Sequence, residues 1–319
     1  MEDNAADPEQ IGILLVPGFS AMAFFSAIEP LRVANRLAGR SLYRWRIYAQ
    51  GGEAVEASNG MRILADALLG TERPPTLIVC AGFHPERAES KSTLGVLRRF
   101  ARAGVRLGAL DTGTHVLARA GLLEGSRVSI HWEAAPAFRE DFPGIEVTGE
   151  LFEIQDRIFT CAGGTAALDL MLAMIGSRHG AELASAISEQ FIHDRIRSSH
   201  DHQRMELAAR LQVHNDKVLR VIRLMESAIE QVRDLAELAQ AVDVSQRQLE
   251  RLFESALGQS PARYYRELRL TRARDLLRQT SLSVVQVAVA TGFNSASTLA
   301  RAYRERYGRA PRTDREEAP

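Results

Sequence analysis

The hydrophobic period of this chain changes once, near Thr165, and that change decides what it can fold into. Before it, short apolar runs at 11–16, 46–49, 77–80, 105–110 and 158–161 alternate with amphipathic stretches at 23–37, 92–103 and 114–120. Several runs are apolar on both faces, a pattern that suits strands covered by helices above and below. The alternation predicts parallel βαβ units in a doubly wound α/β sheet. After Thr165 the strand signal ends, and 165–177, 181–198, 216–230 and the rest read as helices. Two polar stretches, 198–204 and 212–216, bracket the change. The expectation is an α/β domain over 10–197, a linker over 198–215, and an all-α domain over 216–312.

Charge follows the same division. The whole chain of 319 residues is formally neutral, which taken alone argues against a nucleic-acid partner. Between Ser245 and Arg312, however, thirteen arginines face five acids, a local +8. Residues 1–244 carry −6 and the tail from Thr313 carries −2. An acidic body with a basic end is expected where one domain meets phosphate and the other does not. Two cysteines, Cys80 and Cys161, are too few for a disulfide framework, and no Cys/His cluster offers a metal site. No targeting signal or long apolar run is present, so a cytoplasmic protein without a membrane partner is expected.

Three helix starts in the second half carry one signature. Asp234 precedes Glu237, Ser245 precedes Gln248, and Ser283 precedes Gln286, each by three residues. These are capping boxes, in which the cap side chain and its partner satisfy each other's backbone donors. The first two frame a helix, a turn at 242–244 and a second helix. The third opens a similar unit with its turn at Gly292, Phe293 and Asn294. Gly292 suits a positive φ, and Phe293 can plug the angle between two helices. Two helix-turn-helix units, separated by an arginine-rich helix over 264–279, are far more specific than one.

The stretch DLAELAQAVDVSQRQLERLFESALGQSPARYYRELRLTRARDLL, followed by SVVQVAVATGFNSASTLARAYRERYGRAP, resembles the DNA-binding domain of AraC/XylS-type transcription regulators. The resemblance implies two recognition helices in adjacent major grooves of double-stranded promoter DNA, with RNA polymerase as a further partner. Thr298–Leu299 stands where that family often carries an aromatic pair. On the first recognition helix the candidates are Gln246, Arg247, Gln248 and Arg251, since Arg and Gln bond bidentately to guanine and adenine edges. On the second they are Ser295, Ser297, Thr298 and Arg301, whose short hydroxyls carry less base information.

In the first half, IGILLVPGFSAMAFFSAIEPLRVAN, LIVCAGF, LGALDTGTHVLARAGLLEG, SIHWE and CAGGTAALDLML together resemble the class I glutamine amidotransferase-like, or PfpI-type, domain. Joined to an AraC-type domain it is similar to the GlxA-like regulators. Within them it looks most like the branch sensing glycine betaine, carnitine or arginine. The enzymes of that superfamily carry a cysteine on a sharp strand-to-helix turn, and the matching position here is Asp111. His131 matches the family's histidine and Glu29 its acidic residue, but without the thiol they form no catalytic set. A crevice at the strand ends is expected from Phe19, Glu29, Phe83, Asp111, Thr112, His131 and Trp132. A carboxylate with aromatic faces suits a quaternary ammonium or guanidinium group, whereas Asp111 as a cap of its own helix is the plainer reading.

The chain therefore reads as a regulator, an activator and homodimer, that needs no cofactor and responds to a zwitterionic amine or amino-acid derivative. An amidohydrolase or glyoxalase-like enzyme, and a regulator whose α/β domain only dimerises it, are the alternatives.

Overall fold

A computed structural model describes residues 7–204, 207–280 and 282–316. Contacts divide the chain between Gln203 and Arg204 into two units.

The first unit runs β1 (Glu9–Leu15), α1 (Ala21–Ala38), β2 (Tyr43–Ala49), β3 (Ala54–Glu56), β4 (Arg62–Leu64), β5 (Ala67–Leu68), β6 (Thr76–Cys80), α2 (Lys91–Arg102), β7 (Arg106–Leu110) and α3 (Gly113–Arg119). It continues with β8 (Arg127–Val128), α4 (Ala135–Asp141), β9 (Glu146–Val147), β10 (Phe152–Ile154), β11 (Ile158–Cys161), α5 (Ala166–His179) and α6 (Ala181–Gln190). The main sheet has the order β10-β11-β7-β6-β1-β2-β5. Its neighbours pair in parallel except β10 with β11.

The sequence explains this layering. Every residue of β6, TLIVC, is buried, because one face packs with Phe24, Leu31, Leu170 and Ile175 of α1 and α5. The other face packs with Leu97, Phe100, Val116 and Leu117 of α2 and α3. Burying one such side chain contributes about 1.5–3 kcal/mol. Chain order reverses beside β1, so the crevice of the open sheet lies at the carboxyl ends of β1, β6 and β7.

Two boundaries differ from the sequence reading. The helix expected over 181–198 stops at Gln190, because His193 and Arg197 turn back to the buried carboxylate of Asp169 on α5. The expected linker over 198–215 also divides: Gln203 is hydrogen-bonded into the first unit, while Leu207 and Val213 are buried in the core of the second.

The second unit holds α7 (Leu207–Leu211), α8 (Asp216–Ser227), α9 (Leu235–Gln240), α10 (Gln246–Leu257), α11 (Pro261–Gln279), α12 (Val284–Ala290), α13 (Ala296–Tyr307) and α14 (Pro311–Glu316). All three capping boxes form. Gly292 has φ 67°, and a Cβ there would lie 2.6 Å from the Ile229 carbonyl oxygen. Phe293 is buried between α12 and α13. The domain does not finish at 312. Asp314 on α14 is fully buried and accepts bonds from Arg274, Arg278 and the Tyr303 hydroxyl. An acid that the sequence reading counted with the tail is thus the clasp between α14, α11 and α13.

Candidate functional site

β7 ends at Leu110 and turns into α3 through Asp111 and Thr112. Asp111 adopts φ 59°, a left-handed conformation that costs a non-glycine residue about 1–3 kcal/mol and persists only where its surroundings enforce it. Two bonds do so: the Asp111 amide donates to the Cys161 carbonyl at 2.9 Å, and the Thr112 hydroxyl donates to the Gly82 carbonyl at 2.5 Å. Gly163 closes the other side. A Cβ there would lie 2.7 Å from that of Asp111, so the second strand end must be glycine for the carboxylate to fit.

Burial raises the Asp111 carboxyl to about 7; the Thr112 backbone amide pulls the value down and the Glu133 charge pushes it up. Among the described residues no cation contributes. Both cysteines flank this turn and are fully buried. Burial, and then the Asp111 charge, hold the Cys80 thiol well above its ordinary value. Burial pushes Cys161 up to about 12. Both are protonated at neutral pH and neither is an activated nucleophile.

The other expected crevice residues separate. Thr112 sits at the elbow with its hydroxyl committed to Gly82. His131 is half-buried; burial lowers its pKa, with Glu133 acting in the opposite sense. Its Nδ1 accepts from the Glu133 amide at 3.4 Å. Trp132 stands beside it, ring centroids 5.7 Å apart, with 38% of its surface exposed. Phe83 follows β6 and is 60% exposed.

The side chains of Phe19 and Glu29 are committed elsewhere. Phe19 is completely buried, edge-on to Phe24 at 5.7 Å, so its ring belongs to the core. Glu29 lies further along α1, where its carboxylate is bonded to Arg32 at 2.7 Å. The acid that the elbow does sense is Glu133, which the sequence reading missed. Its position two residues after His131 was the available signal.

In the second unit Gln246, Arg247, Gln248 and Arg251 are all exposed on α10. Gln248 is occupied by the cap, its Oε1 accepting from the Ser245 amide at 3.0 Å. Arg247 and Arg251 are thus the long donors of that face. On α13 Ser295, Ser297 and Arg301 are exposed and Thr298 is half-buried. The Ser295 hydroxyl lies 2.9 Å from those of both Ser297 and Thr298. Leu299 is fully buried, so the Leu of the Thr298–Leu299 pair serves the core.

The basic surface is smaller than its sequence count. Arg269 donates to the carbonyls of Thr291 and Gly292 and lies 4.2 Å over the Phe293 ring. Arg274 and Arg278 are held by Asp314. These three arginines build the second helix-turn-helix rather than its outer face. Among the described residues there is no cluster that could hold a metal ion, and no helix is long and apolar enough to cross a membrane.

Comparison with known proteins agrees with both halves. The DJ-1/PfpI family matches residues 9–177 and the helix-turn-helix domain family residues 238–317. The chain is 50% identical to the HTH-type transcriptional regulator CdhR of Pseudomonas aeruginosa, over 96% of this chain and 91% of that protein. It is 46% identical to the regulator GbdR of the same species, over 98% and 86% respectively. Among solved structures, an AraC family transcriptional regulator from Pseudomonas putida superposes with a TM-score of 0.53 at 27% identity, covering 58% of this chain and all of that one.

Proposed function

The chain belongs to the AraC-type transcription regulators that carry an N-terminal DJ-1/PfpI domain, and from that premise we propose that its elbow crevice binds the signal it responds to. DNA binding through the two helix-turn-helix units is the family's shared function. The proposed addition is the occupant of the crevice: a small zwitterion whose cationic end meets Asp111. One observation carries this reading. Asp111 stands on the strained turn where the related enzymes hold their nucleophile, yet among the described residues no cation offsets the burial of its carboxylate.

The surrounding groups fit that occupant. A cation near Asp111 favours the ionised carboxylate and offsets its burial. Phe83 and Trp132 are exposed aromatics with faces that attract ammonium or guanidinium groups. Backbone amides at the start of α3 suit the ligand's own carboxylate. The same inventory argues against turnover. Asp111 is no thiol, and Cys80 and Cys161 are buried and protonated. We accordingly read the chain as a cytoplasmic regulator without amidohydrolase or glyoxalase activity, acting as a homodimer that activates promoters together with RNA polymerase.

Calorimetric titration of the full chain with glycine betaine, carnitine and arginine tests the crevice. Saturable binding of at least one is expected. Silence across the panel, with DNA binding intact, would return the α/β domain to a purely dimerising role.

On the DNA side, base reading is assigned to Arg247 and Arg251. The hydroxyls of Ser295, Ser297 and Thr298, with Arg301, are assigned to backbone contact and shape. Selection of duplexes from a random pool should accordingly return one strongly specified half-site and one weak one. Two equally specified half-sites would refute that division.

A further inference from the structure

The chain leaves its first unit under restraint. After α6, residues 191–203 cross the domain without forming helix or strand. The Ser199 carbonyl accepts from the Leu151 amide at 2.9 Å and His202 forms a β-bridge with Glu150, and two side chains fasten the segment further. The first is Asp169, fully buried, which accepts from His193 Nε2 at 2.9 Å and from the Arg197 backbone amide and side chain at 2.7–2.9 Å. The second is Gln203, whose side-chain nitrogen lies 2.8 Å from the Glu150 carbonyl, 3.1 Å from that of Ile130 and 3.3 Å from the Ser129 hydroxyl.

This second anchor sits beside the crevice. Ile130 immediately precedes His131. Ser129 is fully buried, and its bonds reach three further elements: its amide donates to Thr160 Oγ1 at 2.8 Å, its hydroxyl to the Glu150 carbonyl at 2.7 Å, and its carbonyl accepts from Thr114 Oγ1 at 3.0 Å. Thr114 is in the first turn of α3, three residues beyond Asp111. A continuous hydrogen-bonded path therefore runs from the elbow helix through Ser129 to Gln203, the last residue of the first unit.

The amide of Gln203 has one orientation available. Its nitrogen faces two carbonyls and a hydroxyl, so a flipped amide would set oxygen against oxygen. Among the described residues its own Oε1 is buried without a hydrogen-bond partner, which costs stability. The three contacts of its nitrogen thus hold the strap against Ser129 in a single geometry, so that a shift at one end is passed to the other.

We propose that Gln203, acting through Ser129, is the positioning residue that couples the elbow crevice to the point where the chain passes into the DNA-binding unit. The regulatory meaning of this coupling rests on reading the crevice as the effector site, but the coupling can be measured with no effector present.

In Gln203→Met the side-chain length is kept and the amide removed. Hydrogen exchange of the full chain should quicken at least threefold across 128–134 and the first turn of α3, as well as at 199–204, while 193–197 stays as in the wild type. A change confined to 199–204 overturns the proposal. Thr114→Val cuts the path at its other end and serves if the first variant folds poorly; exchange at 199–204 should quicken there too, and unchanged exchange overturns the proposal. A structural role alone would not produce the DNA result. For a duplex selected by the wild-type chain from a random pool, each variant should alter Kd about threefold or more. The double variant should do no more than the larger single. Multiplying effects, or none, would sink the coupling, whereas failure of every zwitterion in calorimetry sinks only the crevice reading.

Discussion

Asp111 in the first unit and Asp314 in the second both carry a burial penalty and answer it differently. At Asp314 burial would raise the carboxyl, but the Tyr303 hydroxyl, Arg278 and Arg274 more than offset it and hold the group below its ordinary value. At Asp111 no cation among the described residues does so, and the group is pushed up to about 7. A carboxylate whose partners the fold supplies is part of the framework. One that carries the desolvation cost without a counter-charge points to chemistry supplied from outside.

The sharpest way to break this contrast is to remove the clasp. Asp314→Ala leaves Arg274 and Arg278 facing each other without their acid and should destabilise the second unit by about 3–5 kcal/mol. Calorimetric unfolding of the full chain reads this directly. A loss under about 1 kcal/mol would mean that Asp314 is no more structural than Asp111.

Next in size is Asp111→Asn. It keeps the shape of the elbow, and asparagine tolerates a positive φ. It should weaken zwitterion binding by about 2 kcal/mol, the lower end expected for truncating one partner of a desolvated pair. DNA affinity without effector should hardly change. Equal effector affinity in variant and wild type would make Asp111 a helix cap and nothing more.

The two acids also predict opposite pH slopes. Between about pH 4 and 7 the folded chain holds a proton on Asp111 that the unfolded chain has released, so this group's contribution to stability is present below that window and lost as pH rises through it. Asp314 is depressed, so its contribution is present above the ordinary aspartate range and lost as pH falls below about 4. Melting temperature against pH should lose its Asp111 slope in Asp111→Asn and keep it in wild type. Identical profiles would remove the elbow from the titration.

Arginines repeat the contrast on a smaller scale. Arg278 is committed to Asp314, whereas Arg247 is exposed on α10. Arg247→Ala should cost about 1–3 kcal/mol on the selected duplex and relax preference at one base pair. Uniform weakening across all sequences would move Arg247 to the phosphate contacts. Ser297→Ala should have the smallest effect, below about 0.5 kcal/mol in binding, since its hydroxyl is exposed and shared with Ser295.

Much of this was legible in the residues. Short runs apolar on both faces pointed to the parallel strands, and the three capping boxes located helix starts to the residue because a cap is a local interaction. What escaped was non-local. Nothing in the string ties Asp169 to Arg197, so a strap reads as the end of a helix. Asp314 reads as tail because its arginine partners Arg278 and Arg274 lie 36 and 40 residues away. Phe19 and Phe83 both follow strands and look alike in sequence, yet one is fully buried and the other 60% exposed. Asp111 was found through the resemblance of its strand-to-helix turn to the family's, although the bonds that hold that turn, to Cys161 and Gly82, are themselves non-local.

The clasp at Asp314 also orders events in time. Domains of a nascent chain fold as units, the N-terminal one first. Every strand of the sheet, and the strap that fastens it, is in place once residue 203 has emerged from the ribosome. The second helix-turn-helix must wait for residue 314 before Arg274 and Arg278 find their acid. A translation product interrupted between those two points would keep a folded α/β domain while its DNA-binding unit lacked the acid that closes it, so incomplete copies would be poor competitors for operator sites.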